Sequence, residues 1–216
     1  MEKKITVIIP AHNEEKTIRK VVKILKNHPL VDEILVINNA STDKTEELAK
    51  KEGAKVLNCT TKGKGYAMEM GIQEASNEVL IFLDGDITKY DNDIVRELSE
   101  PIIDRDVDFV KSRFDRTGGR VTELVAKPLL EITFPNIQKF AQPLSGAIAG
   151  KKSLLKQITL EKDYGVDIGI LLDMIALNAK IEEVHIGRIK NDSQDWKALV
   201  QMSKEVQQAI LKRAYK

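Results

Sequence analysis

The stretch VLIFLDGDIT, residues 79–88, decides how the chain reads. An unbroken apolar run ends in two aspartates, Asp84 and Asp86, separated by Gly85. A run of this kind closed by Asp-Gly predicts a strand covered on both faces. Carboxylates two positions apart lie on one side of an extended backbone, and a turn at Gly85 lets both reach one hard cation. Such oxygens suit Mg²⁺ or Mn²⁺, which keeps waters and completes its shell from a diphosphate. The competing reading is an ordinary Asp-Gly cap where a strand meets a turn.

Outward from this strand the pattern alternates. ITVIIP (5–10), EILVIN (33–38) and AKVLN (54–58) read as strands, and the segments after them as helices. Ile18, Val21, Val22 and Leu25 share one face of the first helix; Asp43 with Glu46 forms a candidate capping box for the second, which Gly53 stops. Alternating strands and helices imply right-handed crossovers and a mostly parallel sheet, with ligands beyond the carboxyl ends of its strands. PAHNE, NNAS and DGD are then expected on one rim. In TKGKGYAMEMG (61–71), Lys64 stands between two glycines before a helix; glycine lets backbone approach an anion, and lysine beside a helix N-terminus favours phosphate. A solvated loop lysine is the alternative.

The second half is less regular. VDFVKS (107–112) and IEEVHIG (181–187) read as strands, and YGVDIGILLDMIALNA (164–179) as an apolar helix. Pro128 is expected to start or kink a helix. The last helix carries Leu199, Met202, Val206, Ile210 and Leu211 on one face; its mixed charges favour packing or dimerisation over a membrane surface, so a homodimer is expected.

Composition narrows the function. Across 216 residues, 34 Lys and Arg oppose 33 Asp and Glu, which argues against a general nucleic-acid binder. The single cysteine, Cys59, excludes an internal disulfide framework and a cysteine-based zinc site, and fits a reducing cytoplasm. The apolar stretch near the N-terminus is too short for a signal peptide or a membrane span, so the expected location is cytoplasmic, without membrane insertion.

PAHNEE, NNASTDKT, GKGYAM and FLDGD, in this order and spacing, resemble the nucleotide-sugar-binding half of GT-A glycosyltransferases of the family 2 type. The resemblance implies a Rossmann-like α/β/α sandwich in one domain, with a donor half over 1–90 and an acceptor half with the C-terminal helix over 91–216. It implies that Pro10, Ala11, His12 and Glu14 line the nucleoside pocket, that Asn39 lies beside the base, and that Lys64, Asp84 and Gly85 contact the donor. Asp84 and Asp86 become the metal motif. Asn38 departs from the aspartate of many relatives.

Later blocks sharpen the match: GGRVTELVAKPLL, QPLSGAIAGKKSLL and DYGVDIGILLDM are similar to glucosyl-3-phosphoglycerate synthases. This implies that Gly119, Arg120, Val121 and Thr122 bind 3-phosphoglycerate. Arg113, Arg116 and Arg120, with Gly118 and Gly119 to present N–H groups and Thr122 opening a helix, independently suit a small molecule bearing phosphate and carboxylate. A solvated basic loop is the alternative. Asp167 stands where these synthases carry a glutamate near the acceptor hydroxyl. Ala147 and Ile148 replace a glutamate and a tyrosine, and Asn191, beside Asp192, falls where the third metal ligand is a histidine.

The implied activity is metal-dependent, retaining transfer of glucose from a UDP- or GDP-sugar to 3-phosphoglycerate, with Asp86, Asp167 and Arg120 as the catalytic set. A polyprenyl-phosphate glycosyltransferase and a nucleotide-sugar-binding protein with weak or no activity are the alternatives.

Overall fold

The computed structural model describes residues 4–87, 93–115, 119–137, 140–189 and 195–215. The strands are β1 (Ile5–Ala11), β2 (Val31–Asn39), β3 (Lys55–Cys59), β4 (Val79–Phe82), β5 (Phe109–Asp115), β6 (Ile148–Lys151) and β7 (Ile181–Arg188). They form one seven-stranded sheet in the order β3-β2-β1-β4-β6-β5-β7. Only β6 is antiparallel to its neighbours, β4 and β5, so the mostly parallel α/β sheet expected from the alternation is what the chain forms.

The strands are buried because helices cover both faces. Ile5, Val7 and Ile9 of β1 pack toward α1 (Ile18–Leu25), α2 (Thr45–Glu52) and α4 (Ile94–Asp104). Ile8, between them, packs on the opposite side, with α3 (Lys64–Glu74), α5 (Lys127–Thr133), α7 (Val166–Ala176) and α8 (Trp196–Ala214). The short α6 (Lys152–Leu155) follows β6. The alternation of one strand's side chains between two helical layers is the period-two consequence of the pleat.

Three local expectations change. Asp43 does serve the start of α2, its carboxylate accepting from the Thr45 N–H at 3.0 Å, but Glu46 pairs with Lys50 and Asn58 and closes no capping box. Helical backbone begins at Arg120, so Thr122 lies inside the first turn, in a π-turn (Thr122–Ala126) where the Lys127 N–H reaches the Thr122 carbonyl. That wider turn lets Pro128 follow without striking the carbonyl four residues back. Finally, Val206, Ala209 and Ile210 of α8 are buried in the protein's own core, with Leu199 and Met202 partly buried against it. Of packing or dimerisation, the two expectations for this face, packing within the chain therefore takes up most of it. Among the described residues, no helix is long and apolar enough to cross a membrane.

Candidate active site

Parallel pairing of β1 with β2 and β4 brings the carboxyl ends of these strands to one rim, Ala11 opposite Asn38 and Ile8 opposite Phe82. The loops that follow are laced together. The backbone N–H groups of Asn13, Glu14 and Glu15 donate to the side chains of Ser41, Thr45 and Asp43 at 3.0, 2.7 and 3.0 Å. Much of the S-T-D-K-T motif thus holds the loop after β1 in place. His12 Nδ1 donates to the Asn39 carbonyl at 2.7 Å. The Asn39 side chain is buried, and its amide clamps the lysine loop: Nδ2 donates to the Thr61 carbonyl at 2.7 Å and Oδ1 accepts from the Gly63 N–H at 2.8 Å.

Lys64 is the centre of the site. Its Nζ donates to Asp84 Oδ1 and to Asp167 Oδ2, both at 2.9 Å, from a side chain only 17% exposed. Burial disfavours the ammonium, but Asp167 and Asp84 outweigh it and hold the Lys64 pKa far above its usual value. Gly146 leaves room for the cluster: a Cβ there would lie 2.6 Å from Lys64 Nζ and 2.7 Å from an Asp84 oxygen. Asp167 sits in the first turn of α7, buried, and its Oδ1 has no hydrogen-bond partner among the described residues. A buried acceptor left open in this way is costly unless a ligand or water meets it.

Lys111 lies behind Asp167 and was not singled out by its motif context. It is fully buried on β5, and its Nζ donates to the Asp167 main-chain carbonyl at 3.0 Å. Burial pushes its pKa down to about 8. The signal available in the sequence was a lysine inside the apolar strand FVKS, a position where charge is rare unless partnered.

Glu14 closes the other side of the rim. A Cβ at Gly85 would lie 3.2 Å from Glu14 Cγ, 3.6 Å from Ala11 Cβ and 3.6 Å from the Pro10 carbonyl, so these four predicted residues are neighbours. Burial, with smaller contributions from Asp86 and Asp84, raises Glu14 to about 7. The donor set here is hard oxygen, in a negative field, which fits Mg²⁺ or Mn²⁺. No group of three His, Cys, Asp or Glu able to hold a metal occurs among the described residues, so Asp84 and Asp86 would supply only part of a coordination shell. Asn191, the expected third ligand, and its neighbour Asp192 lie outside the described residues.

The Glu14 shift gives a pH dependence. An acid whose folded pKa is raised contributes stability that is complete below its unfolded value and lost as pH rises through the folded one. The metal-free protein should therefore lose stability between pH 4.5 and about 7, and Glu14→Gln should flatten that slope. Tm against pH reads it; an unchanged slope in the variant would remove Glu14 from this role.

Of the predicted acceptor set, Arg120 is exposed and Gly119 half-buried with φ 95°, whereas the side chains of Val121 and Thr122 are buried. Early helix initiation at Arg120 explains the difference, by turning the two following residues into the core. Arg113 is exposed on β5. Arg116 and Gly118 lie outside the described residues. Ala147 and Ile148 are buried in the core at the start of β6.

The pattern described as "Glycosyl transferase family 2" matches residues 6–161. The glucosyl-3-phosphoglycerate synthase of Petrotoga mobilis is 32% identical, over 99% of this chain and 74% of its own length. That of Mycolicibacterium smegmatis is 33% identical, over 97% of this chain and 77% of its own. The crystal structure of glucosyl-3-phosphoglycerate synthase from Mycobacterium tuberculosis in complex with Mn²⁺, UDP-glucose and phosphoglyceric acid superposes with a TM-score of 0.93 at 33% identity, covering 99% of this chain and 80% of that one.

Proposed function

The chain belongs to glycosyl transferase family 2 and, within it, to the glucosyl-3-phosphoglycerate synthases, and from that membership we propose that it transfers glucose from UDP-glucose to 3-phosphoglycerate with retention of anomeric configuration. The observation that carries this reading is the Lys64 cluster. One buried ammonium is held between the aspartate of the rim motif and an aspartate of α7, whose second oxygen stays open.

In this reading residues 1–90 serve the donor and 91–216 chiefly the acceptor, although Gly146 and Asp167 of the later stretch complete the donor side. Pro10, Ala11, His12, Glu14 and Gly85 bound the nucleoside pocket, and Asn39 acts on it through the loop it clamps. Asp84 and Asp86, with Asn191, would hold the divalent ion. When bound, that ion supplies Lewis-acid stabilisation of charge on the leaving diphosphate. Lys64 adds a fixed positive charge beside the same group, in a site where burial strengthens it. Arg120 and the Gly119 backbone hold the phosphate or carboxylate of the acceptor, which turns an encounter between two substrates into a local step. Asp167 Oδ1 accepts a hydrogen bond from a sugar or acceptor hydroxyl and orients it. Lys111 fixes the main-chain carbonyl of the same residue, so Asp167 is held at its backbone as well as at one carboxylate oxygen.

A cytoplasmic enzyme that self-associates belongs to the same proposal. With the inner face of α8 occupied, Trp196 and Val200 remain its exposed apolar side chains for such a contact.

Release of UDP from UDP-glucose that requires both a divalent metal and 3-phosphoglycerate tests the reading. Release indifferent to 3-phosphoglycerate would reject that acceptor. Arg120→Ala is expected to raise the KM for 3-phosphoglycerate about 30-fold, the scale of one lost charge-assisted contact, with the KM for the donor unchanged. Equal changes in both constants would place Arg120 elsewhere.

A further inference from the structure

The C-terminal helix contacts the segment that leads into α7, and that segment supports the lysine turn. Arg213 is almost completely buried for a guanidinium, its side chain 7% exposed. Nε and Nη2 fork onto Asp173 of α7 at 2.7 and 2.6 Å, while Nη1 donates to Glu161 Oε1 at 2.8 Å. Lys212 Nζ reaches the same Glu161 oxygen at 3.0 Å. Glu161 in turn carries the backbone on which the lysine turn rests. The Gly65 N–H donates to the Lys162 carbonyl at 2.9 Å, and a Cβ at Gly65 would lie 1.7 Å from the Glu161 carbonyl oxygen. A Cβ at Gly63 would lie 2.6 Å from the Lys162 carbonyl oxygen. Both glycines that flank Lys64 are therefore seated on residues 161–162. The helix also touches the start of α7: Glu205 accepts from the Tyr164 N–H at 3.1 Å, and a Cβ at Gly165 would lie 2.9 Å from Ala209 Cβ.

We propose that Arg213, acting through Glu161, is a positioning residue for the Lys64 turn, so that the end of α8 sets donor affinity from outside the pocket. The proposal rests on the reading of Lys64 as a donor-binding lysine. A mere staple between helices would make Asp173 and Glu161 equivalent partners of Arg213. The positioning role makes them different, because the backbone at Glu161 itself meets the turn, whereas Asp173 connects to Lys64 only along α7 through Asp167.

The test is calorimetric titration of UDP, with Mn²⁺ present, into the full chain and into Glu161→Ala, Glu161→Gln and Asp173→Ala, with Tm measured on each. Glu161→Ala should weaken UDP about tenfold, the effect of displacing a binding group by a fraction of an ångström. Glu161→Gln keeps an oxygen for Arg213 and should recover most of the affinity. Asp173→Ala should lower Tm while leaving UDP binding within about twofold of the parent, since the turn keeps its support. UDP binding unchanged in both Glu161 variants, or weakened in all three in step with Tm, would overturn the proposal. Failure of the parent protein to bind UDP would instead reject the donor site itself, and the proposal with it.

Discussion

Asp86→Ala should lower turnover by about 10²–10³-fold and abolish metal-dependent binding of UDP, with little change in Tm. The two aspartates of the rim are not equivalent. Asp84 is half-buried and shares its charge with Lys64, whereas Asp86 is exposed beyond β4. Of the two, Asp86 has the larger electrostatic influence on Glu14. Its removal costs little packing, because the side chain covers no core. It should also bring Glu14 back toward the ordinary carboxylate range, a shift visible in the pH dependence of Tm. Retention of metal-dependent UDP binding in Asp86→Ala would separate the aspartate pair from the metal.

Lys64→Met should cost both activity and stability: about 10³-fold in turnover and about 3–5 kcal/mol in folding at neutral pH. Two carboxylates would be left facing each other without their shared cation, and Asp167 is buried. Lys64→Arg should not rescue activity. The space beside Nζ is so tight that even a methyl group on Gly146 would lie 2.6 Å away, and a planar guanidinium needs more room than an ammonium. A Lys64→Met variant as stable as the parent would show that the cluster is not the electrostatic centre described above.

The features legible in the sequence were those whose chemistry is local. Asp84 and Asp86 follow an apolar strand directly, Lys64 stands between glycines at a helix start, and the alternation of strands and helices places the aspartates on one rim with PAHNE and NNAS. Contacts between distant segments were not legible in the same way. Lys64 and Asp167 are 103 positions apart, and nothing in either motif names the other. The seat of the lysine turn on residues 161–162 is a main-chain contact, which leaves no side-chain pattern to read. Asp43 and Glu46 match a capping box, but Asp43 also accepts from the Glu15 N–H across the rim, and Glu46 is drawn to Lys50 and Asn58. The apolar face of α8 was visible from its spacing. Spacing alone could not distinguish a partner subunit from the chain's own α5 and α7.

The most direct measurement is the NMR spectrum of the product formed from UDP-glucose and 3-phosphoglycerate in the presence of Mg²⁺ or Mn²⁺. A glucosyl group joined to the 2-hydroxyl of 3-phosphoglycerate, with the α configuration of the donor preserved and formed only when metal is present, is the predicted result. A β-linked product, or UDP release with free glucose as the sole product, would contradict the account.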